Sequence, residues 1–284
     1  MEKQSLFYNE IESSKKSKYH LETNASGVVS LTQENVFKVL AMISYDPSYK
    51  KVFDVTSKGE LKNGKNTPIT EEVDIDKYTV NDNDNYRDGY FGSSAYWFSK
   101  LNESEKCNEF RYFLFKTICA VDNENSTHLN GDGVGRIQIW ERLCEITESK
   151  VSVLKEFLKT EDFSKEEKMK LLRIISKETS PEKGKHPRKN ISFASKYCHY
   201  ASIALLKEEK EDYADKFPIY DTIVKKALPR YIEVNKENYY SKSVITAYKE
   251  FTKAITELSN KERISKNGID QLLWYYYKGH DLIK

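Results

Sequence analysis

Residues 189–228 read KNISFASKYCHYASIALLKEEKEDYADKFPIYDTIVKKAL, and the interpretation of the whole chain turns on them. The first part reads as an apolar-faced helix with Lys196 near its start. A polar excursion, KEEKEDYADK, follows. Phe217-Pro218-Ile219-Tyr220 is strand-like, and Asp221 then opens a second helix, TIVKKAL, whose first turn its side chain is placed to cap. Lys196 and Asp221 stand 221 − 196 = 25 positions apart.

The two residue types suit covalent chemistry. A lysine amine attacks carbon only when neutral, so its pKa must fall well below the free value of about 10. A helix start disfavours a second positive charge, and the neighbours Phe193, Ala194, Tyr197 and Tyr200 would desolvate it. A neutral, positioned lysine is a covalent catalyst through a Schiff base. A carboxylate at a helix start can stabilise a developing positive charge. The plainer alternative is a solvated helix lysine and a simple cap. Around the pair lies a basic collar. Lys183, Lys185, Arg188, Lys189 and Lys196 face the single acid Glu182 between positions 181 and 200, and Lys225, Lys226 and Arg230 follow Asp221. Such a surface suits phosphate contacts.

Composition bounds the remaining choices. The 284 residues suffice for one large domain or two modest ones. Charged residues make up 32%, yet aromatics reach 13% with 20 tyrosines, enough to build a core and to offer rings for stacking. The net charge is 46 − 44 = +2, so any nucleic-acid surface must be a local patch. Cys107, Cys119, Cys144 and Cys198 form no CxxC pair, and each sits in an apolar helical context where a buried thiol is expected. No metal and no cofactor is expected. The N-terminus lacks the apolar core of a signal peptide and no run is long enough to span a membrane, so a reduced, cytoplasmic protein is expected.

In chain order, TQENVFKVLAMISYDPSY predicts a helix capped by Thr32, with Asn35 in its first turn and Pro47 as its stop. From 52 to 85 short alternating pieces suggest a small irregular or β-containing lobe, and DNDNYRDG at 82–89 has its oxygen ligands out of register for calcium. From 93 onward the reading is helical. SSAYWFSKL is short, and KCNEFRYFLFKTICAV is a strongly apolar central helix that breaks into a loop, DNENSTHLNGDGVG, beginning at Asp122. GRIQIWERLCEI, VSVLKEFLKT and SKEEKMKLLRIISKETS follow, the last capped by Ser164 with Glu167. SVITAYKEFTKAITELS and NGIDQLLWYYYKG close the chain. Two domains are expected, 1–92 and 93–284.

Three pieces carry a resemblance to a known family. FLFKTICAVDNEN with ERLCEI, ISFASKYCHYA, and FPIYDTIVKKAL together resemble the helix-hairpin-helix DNA glycosylase superfamily, in its 8-oxoguanine glycosylase-like form, over about residues 95–284. FASKYCHY…FPIYD…IDQLLW also resembles bacterial proteins of this fold linked to antiphage defence. The resemblance implies a mainly α, helix-hairpin-helix glycosylase-like bundle with a small irregular or β-containing N-terminal lobe. It implies a DNA N-glycosylase, with or without AP lyase activity, that flips and excises a modified base from double-stranded DNA, in repair or defence. Lys196 would be the Schiff-base nucleophile and Asp221 its electrostatic partner at the sugar. Asp122 and Asn123 would wedge into the gap left by the flipped base. Tyr200, Asp270 and Trp274 would line the base pocket. The expected hairpin, Asn190 to Ala194, lacks the family's glycines, so the phosphate grip shifts to Lys185, Arg188 and Lys189. A substrate other than 8-oxoguanine follows, with a bulky phage-type base as one candidate. A monomer without membrane attachment is expected. The alternatives are a catalytically inactive DNA-binding or sensor module of the same fold, and an unrelated helical interaction protein.

Overall fold

The computed structural model describes residues 21–25, 28–36, 39, 94, 96–125, 129, 134–165, 168–178, 190–206 and 215–277. The expected lobe at 52–85, DNDNYRDG at 82–89, and the phosphate candidates Lys185, Arg188 and Lys189 lie outside them. The architecture is mainly α-helical, and β pairing among the described residues is confined to one antiparallel bridge, Thr23 with Val29.

The chain divides into two compact units. One gathers Phe91–Tyr220 with Val234–Lys253; the other gathers Met1–Tyr90 with Asp221–Glu233 and Ala254–Lys284. The division is therefore not a single cut at 92. The C-terminal helix and the segment after Asp221 belong with the N-terminal residues.

The first unit is built around a helix with almost no wet face. Its longer helices before residue 221 are α1 (Cys107–Asn125), α2 (Val134–Ile146), α3 (Val151–Thr160), α4 (Lys170–Glu178) and α5 (Ile191–Leu206). Helix α5 packs on α4, α1 and α3, and twelve of its side chains are buried. Its composition explains this, because ISFASKYCHYASIALL is apolar on every side. Tyr197 is fully buried and keeps its hydroxyl satisfied 3.2 Å from Thr117 Oγ1 on α1. Asn190 caps α5, its Oδ1 accepting from the Phe193 N–H at 2.9 Å. Residues 191–194 are thus the first turn of α5 and not a separate hairpin, because the cap and the unbroken run of side-chain-bearing residues carry the helix back to Ile191.

Two further expectations shift. Helix α4 starts at Lys170, and its cap is the buried carboxylate of Glu161, which accepts from the N–H groups of Leu171 (3.0 Å) and Leu172 (3.1 Å). Ser164 instead gives its own N–H to Asp162 Oδ1 at 2.8 Å. Cys144 and Cys198 are buried, but Cys107 is exposed and Cys119 half-buried. Cys107 opens α1, where a side chain has no preceding turn to shelter under.

In the second unit, the Thr32 cap forms as expected, its hydroxyl accepting from the Asn35 N–H at 3.1 Å. Asn35 is itself buried and staples the preceding turn. Its Oδ1 accepts from Glu22 N–H at 3.0 Å, and its Nδ2 donates to the carbonyls of Glu22 (3.1 Å) and Ser30 (2.8 Å). Two C-terminal stretches complete this unit: α6 (Thr222–Ala227) with the 3-10 turn Leu228–Arg230, and later α9 (Lys266–Tyr277). Helices α6 and α9 pack together, and the Tyr231 and Tyr277 hydroxyls meet at 2.7 Å. A Cβ at Gly268 would come within 3.1 Å of side-chain atoms of Val36, Ile264 and Ser265, so a larger residue here has to push those side chains aside. Between them in sequence run α7 (Lys236–Tyr239), in the first unit, and α8 (Val244–Glu262), whose residues divide between the units after Lys253.

Candidate active site

The segment Phe217–Tyr220 is extended but joins no sheet, so its backbone groups need other partners. Side chains supply them. The Phe217 carbonyl lies 2.8 Å from His199 Nδ1; a carbonyl only accepts, so Nδ1 carries a proton. The Tyr248 hydroxyl of α8 donates to the Pro218 carbonyl at 3.0 Å. The Tyr220 N–H donates to Ser195 Oγ at 2.9 Å, and Ser195 in turn donates to the Ser192 carbonyl at 3.1 Å. The residue before Asp221 is thereby tied to the residue before Lys196. Tyr220 is flanked by the rings of Tyr248 and Phe251, and burial pushes its hydroxyl up to about 12.

Lys196 is in the second turn of α5, half-buried, and is the only lysine, arginine or carboxylate on that helix. It makes no ion pair or side-chain hydrogen bond among the described residues. Tyr200, one turn on, is buried with its ring edge-on to His199 at 5.3 Å. Asp221 belongs to the other unit. It takes the expected capping role: its backbone is extended and Oδ1 accepts from the Ile223 N–H at 2.7 Å. One carboxylate oxygen is committed to the cap.

Asp270 and Trp274 lie one turn apart on α9, Asp270 buried and Trp274 half-buried. They share the unit of Asp221, while Tyr200 shares that of Lys196.

The wedge expectation for Asp122 is corrected. Asp122 and Asn123 are not in a loop but in the last turns of α1. Asp122 is 2% exposed, bound by Arg136 of α2 through Nε at 2.7 Å and Nη2 at 2.6 Å, and it accepts from the Leu129 N–H at 3.0 Å. A carboxylate so enclosed has no surface to insert into a base stack. Asn123 stays exposed, its Oδ1 accepting from Arg136 Nη2 at 2.8 Å. Arg136 had no place in the sequence reading, because its partner lies 14 residues away across a loop.

Lys225 is the other residue the sequence reading passed over, as one more charge in the collar. It follows Asp221 by one turn, is half-buried, and desolvation lowers its ammonium pKa. Its spacing carries no such signal, since the apolar side of TIVKKA gathers Ile223, Val224 and Ala227 and leaves Lys225 off it.

Among the described residues no group of His, Cys, Asp and Glu is arranged to hold a metal ion, and no helix is long and apolar enough to cross a membrane. Comparison with protein-family models, with curated proteins and with solved structures finds no match for this chain.

Proposed function

We propose that the chain is a DNA N-glycosylase of the helix-hairpin-helix kind, acting on double-stranded DNA that carries a modified base. The Lys196 amine attacks C1′ of the flipped nucleotide as the glycosidic bond breaks, and the bonding pair leaves on the base. The amine proton passes to the departing base or to solvent. Asp221 offsets the positive charge that develops on the sugar. The observation that carries this reading is the Tyr220 N–H to Ser195 Oγ bond, which holds Tyr220 against the helix turn that presents Lys196. Support also comes from Lys196 itself: a lone amine on a helix buried on nearly every side is costly to keep unless it is used.

The test is incubation with differently modified genomic DNAs, read as abasic sites, with borohydride trapping of the Schiff base. Abasic sites on one modified DNA, and a cross-link lost in Lys196→Ala, are expected. A cross-link that persists in Lys196→Ala and vanishes in Lys225→Ala transfers the nucleophile to Lys225. One specific observation favours a second reading, a DNA sensor without chemistry: Asp122 is withdrawn from the surface where a wedge would act. That reading is supported if Asp221→Asn leaves biological activity intact.

A further inference from the structure

An aromatic surface on the first unit takes no part in the chemistry proposed above. Tyr96 and Tyr112 are 54% and 53% exposed, on the helical segment 96–102 and on α1. Trp97 lies edge-on to both, with ring centres 4.9 Å and 6.4 Å away. Phe113 completes the group, 6.3 Å from Trp97 and 5.4 Å from Tyr112. The ammonium of Lys116, one turn beyond Tyr112, stands 5.5 Å from the Trp97 ring centre and 5.3 Å from that of Tyr112. Lone exposed rings are ordinary on protein surfaces, but a contiguous group marks an interaction site.

Charge narrows what could settle there. Glu103 is bound by Lys100 at 2.7 Å, and Glu109 is paired with Lys106 at 3.9 Å. Lys116 has no carboxylate partner among the described residues. The ring cluster therefore carries an uncompensated positive charge at its centre. Protein–protein interface cores are depleted in lysine. An unpaired nucleic-acid strand alternates flat bases with phosphates, which is the complement of rings interleaved with a cation. A paired duplex keeps its base faces stacked inside and cannot use the rings.

We infer that the Tyr96–Trp97–Tyr112–Lys116 patch is a binding site for unpaired single-stranded nucleic acid, with bases stacked on the exposed tyrosines and a phosphate on Lys116. The site does not depend on Lys196 or Asp221. The experiment is fluorescence anisotropy of a short fluorescein-labelled oligothymidylate titrated with the full chain. Tyr96→Ala/Tyr112→Ala should weaken binding about tenfold or more, the loss expected for one or two stacked bases. These side chains are more than half exposed, so the variant keeps its fold, as its circular dichroism will register. Tyr112→Phe, which keeps the ring, should bind as the parent does. Lys116→Ala should reduce the slope of log affinity against log salt by about 0.7. Lys196→Ala should leave the affinity unchanged, whatever it does to excision. The inference is overturned if the double variant binds as tightly as the parent, if the parent shows no binding at low salt, or if Lys196→Ala abolishes binding. It is equally overturned if the double variant abolishes a self-association of the parent while oligothymidylate does not compete, since the patch would then be an interface with a second copy.

Discussion

Arg136 fixes the end of α1 through one buried carboxylate, and its removal tests how much that costs. Taking away one member of a buried ion pair leaves the other charge unpaired in a poor solvent. Arg136→Ala should lower unfolding free energy by roughly 3 kcal/mol, measured by urea denaturation, and Arg136→Met with Asp122→Leu should recover much of it. Glu161 behaves differently because its partners are backbone N–H groups, with the charge of Lys216 only a minor influence on it. Burial, outweighing the backbone N–H donors of α4, raises its carboxyl above the usual glutamate range. A raised folded pKa means stability that is full below the unfolded value, about pH 4, and is lost as pH climbs through the folded value. The urea midpoint of the parent should therefore fall relative to Glu161→Gln as pH rises from about 4. Glu161→Ala should cost about 2 kcal/mol at about pH 4, by stranding the Leu171 and Leu172 N–H groups, and less as pH rises. Caps at Thr32 and Asp221 were legible in the sequence because acceptor and donor sit within three positions. The Glu161 cap was not, since its donors are ten and eleven residues on and a serine stood at the shorter, more familiar distance.

At the scale of elements, periodicity located most helices, and their ends were the weaker part. The apolar run of α1 is readable, but DNEN reads as loop because its residues favour turns in isolation. Arg136 overrides that preference. The extended tetrad at 217–220 was readable as extended, though not its satisfaction by Ser195, His199 and Tyr248, whose positions depend on the tertiary packing of α5 and α8. Ser195→Ala is the informative change here. It strands the Tyr220 N–H and should cost about 1–2 kcal/mol in chemical denaturation. If the proposed pair acts on one sugar, abasic-site formation should drop by tenfold or more under conditions where the variant is still folded. A variant of reduced stability with full excision would separate the tether from the chemistry.

For the whole molecule, the candidate residues were legible as types and spacings, whereas the division of the chain was not. Reading from one end to the other suggests a cut near 92, yet residues 221–233 and 254–277 group with the N-terminal residues. Nothing local signals that grouping; it rests on pairings such as Gly268 against Val36 and Gln33 Nε2 donating to the Arg263 carbonyl at 2.6 Å. A fragment spanning 91–284 should therefore keep α1–α5 and the α6–α9 packing but deprive α9 and the turn before it of Val36 and Gln33. It should melt at lower temperature than the full chain, bind an apolar dye, and be clipped by protease beyond residue 253. A fragment as protease-resistant as the parent would show that α9 is stable without Val36. The Gln33–Arg263 bond has a further consequence in time. Its two ends are 230 residues apart, so at about 5–20 residues per second the first waits roughly 10–50 s on the ribosome for the second. Val36, which meets Gly268 in the finished protein, lacks that contact throughout the interval. Synthesis of this chain thus carries an interval in which Gln33 and Val36 await the residues they meet in the folded unit.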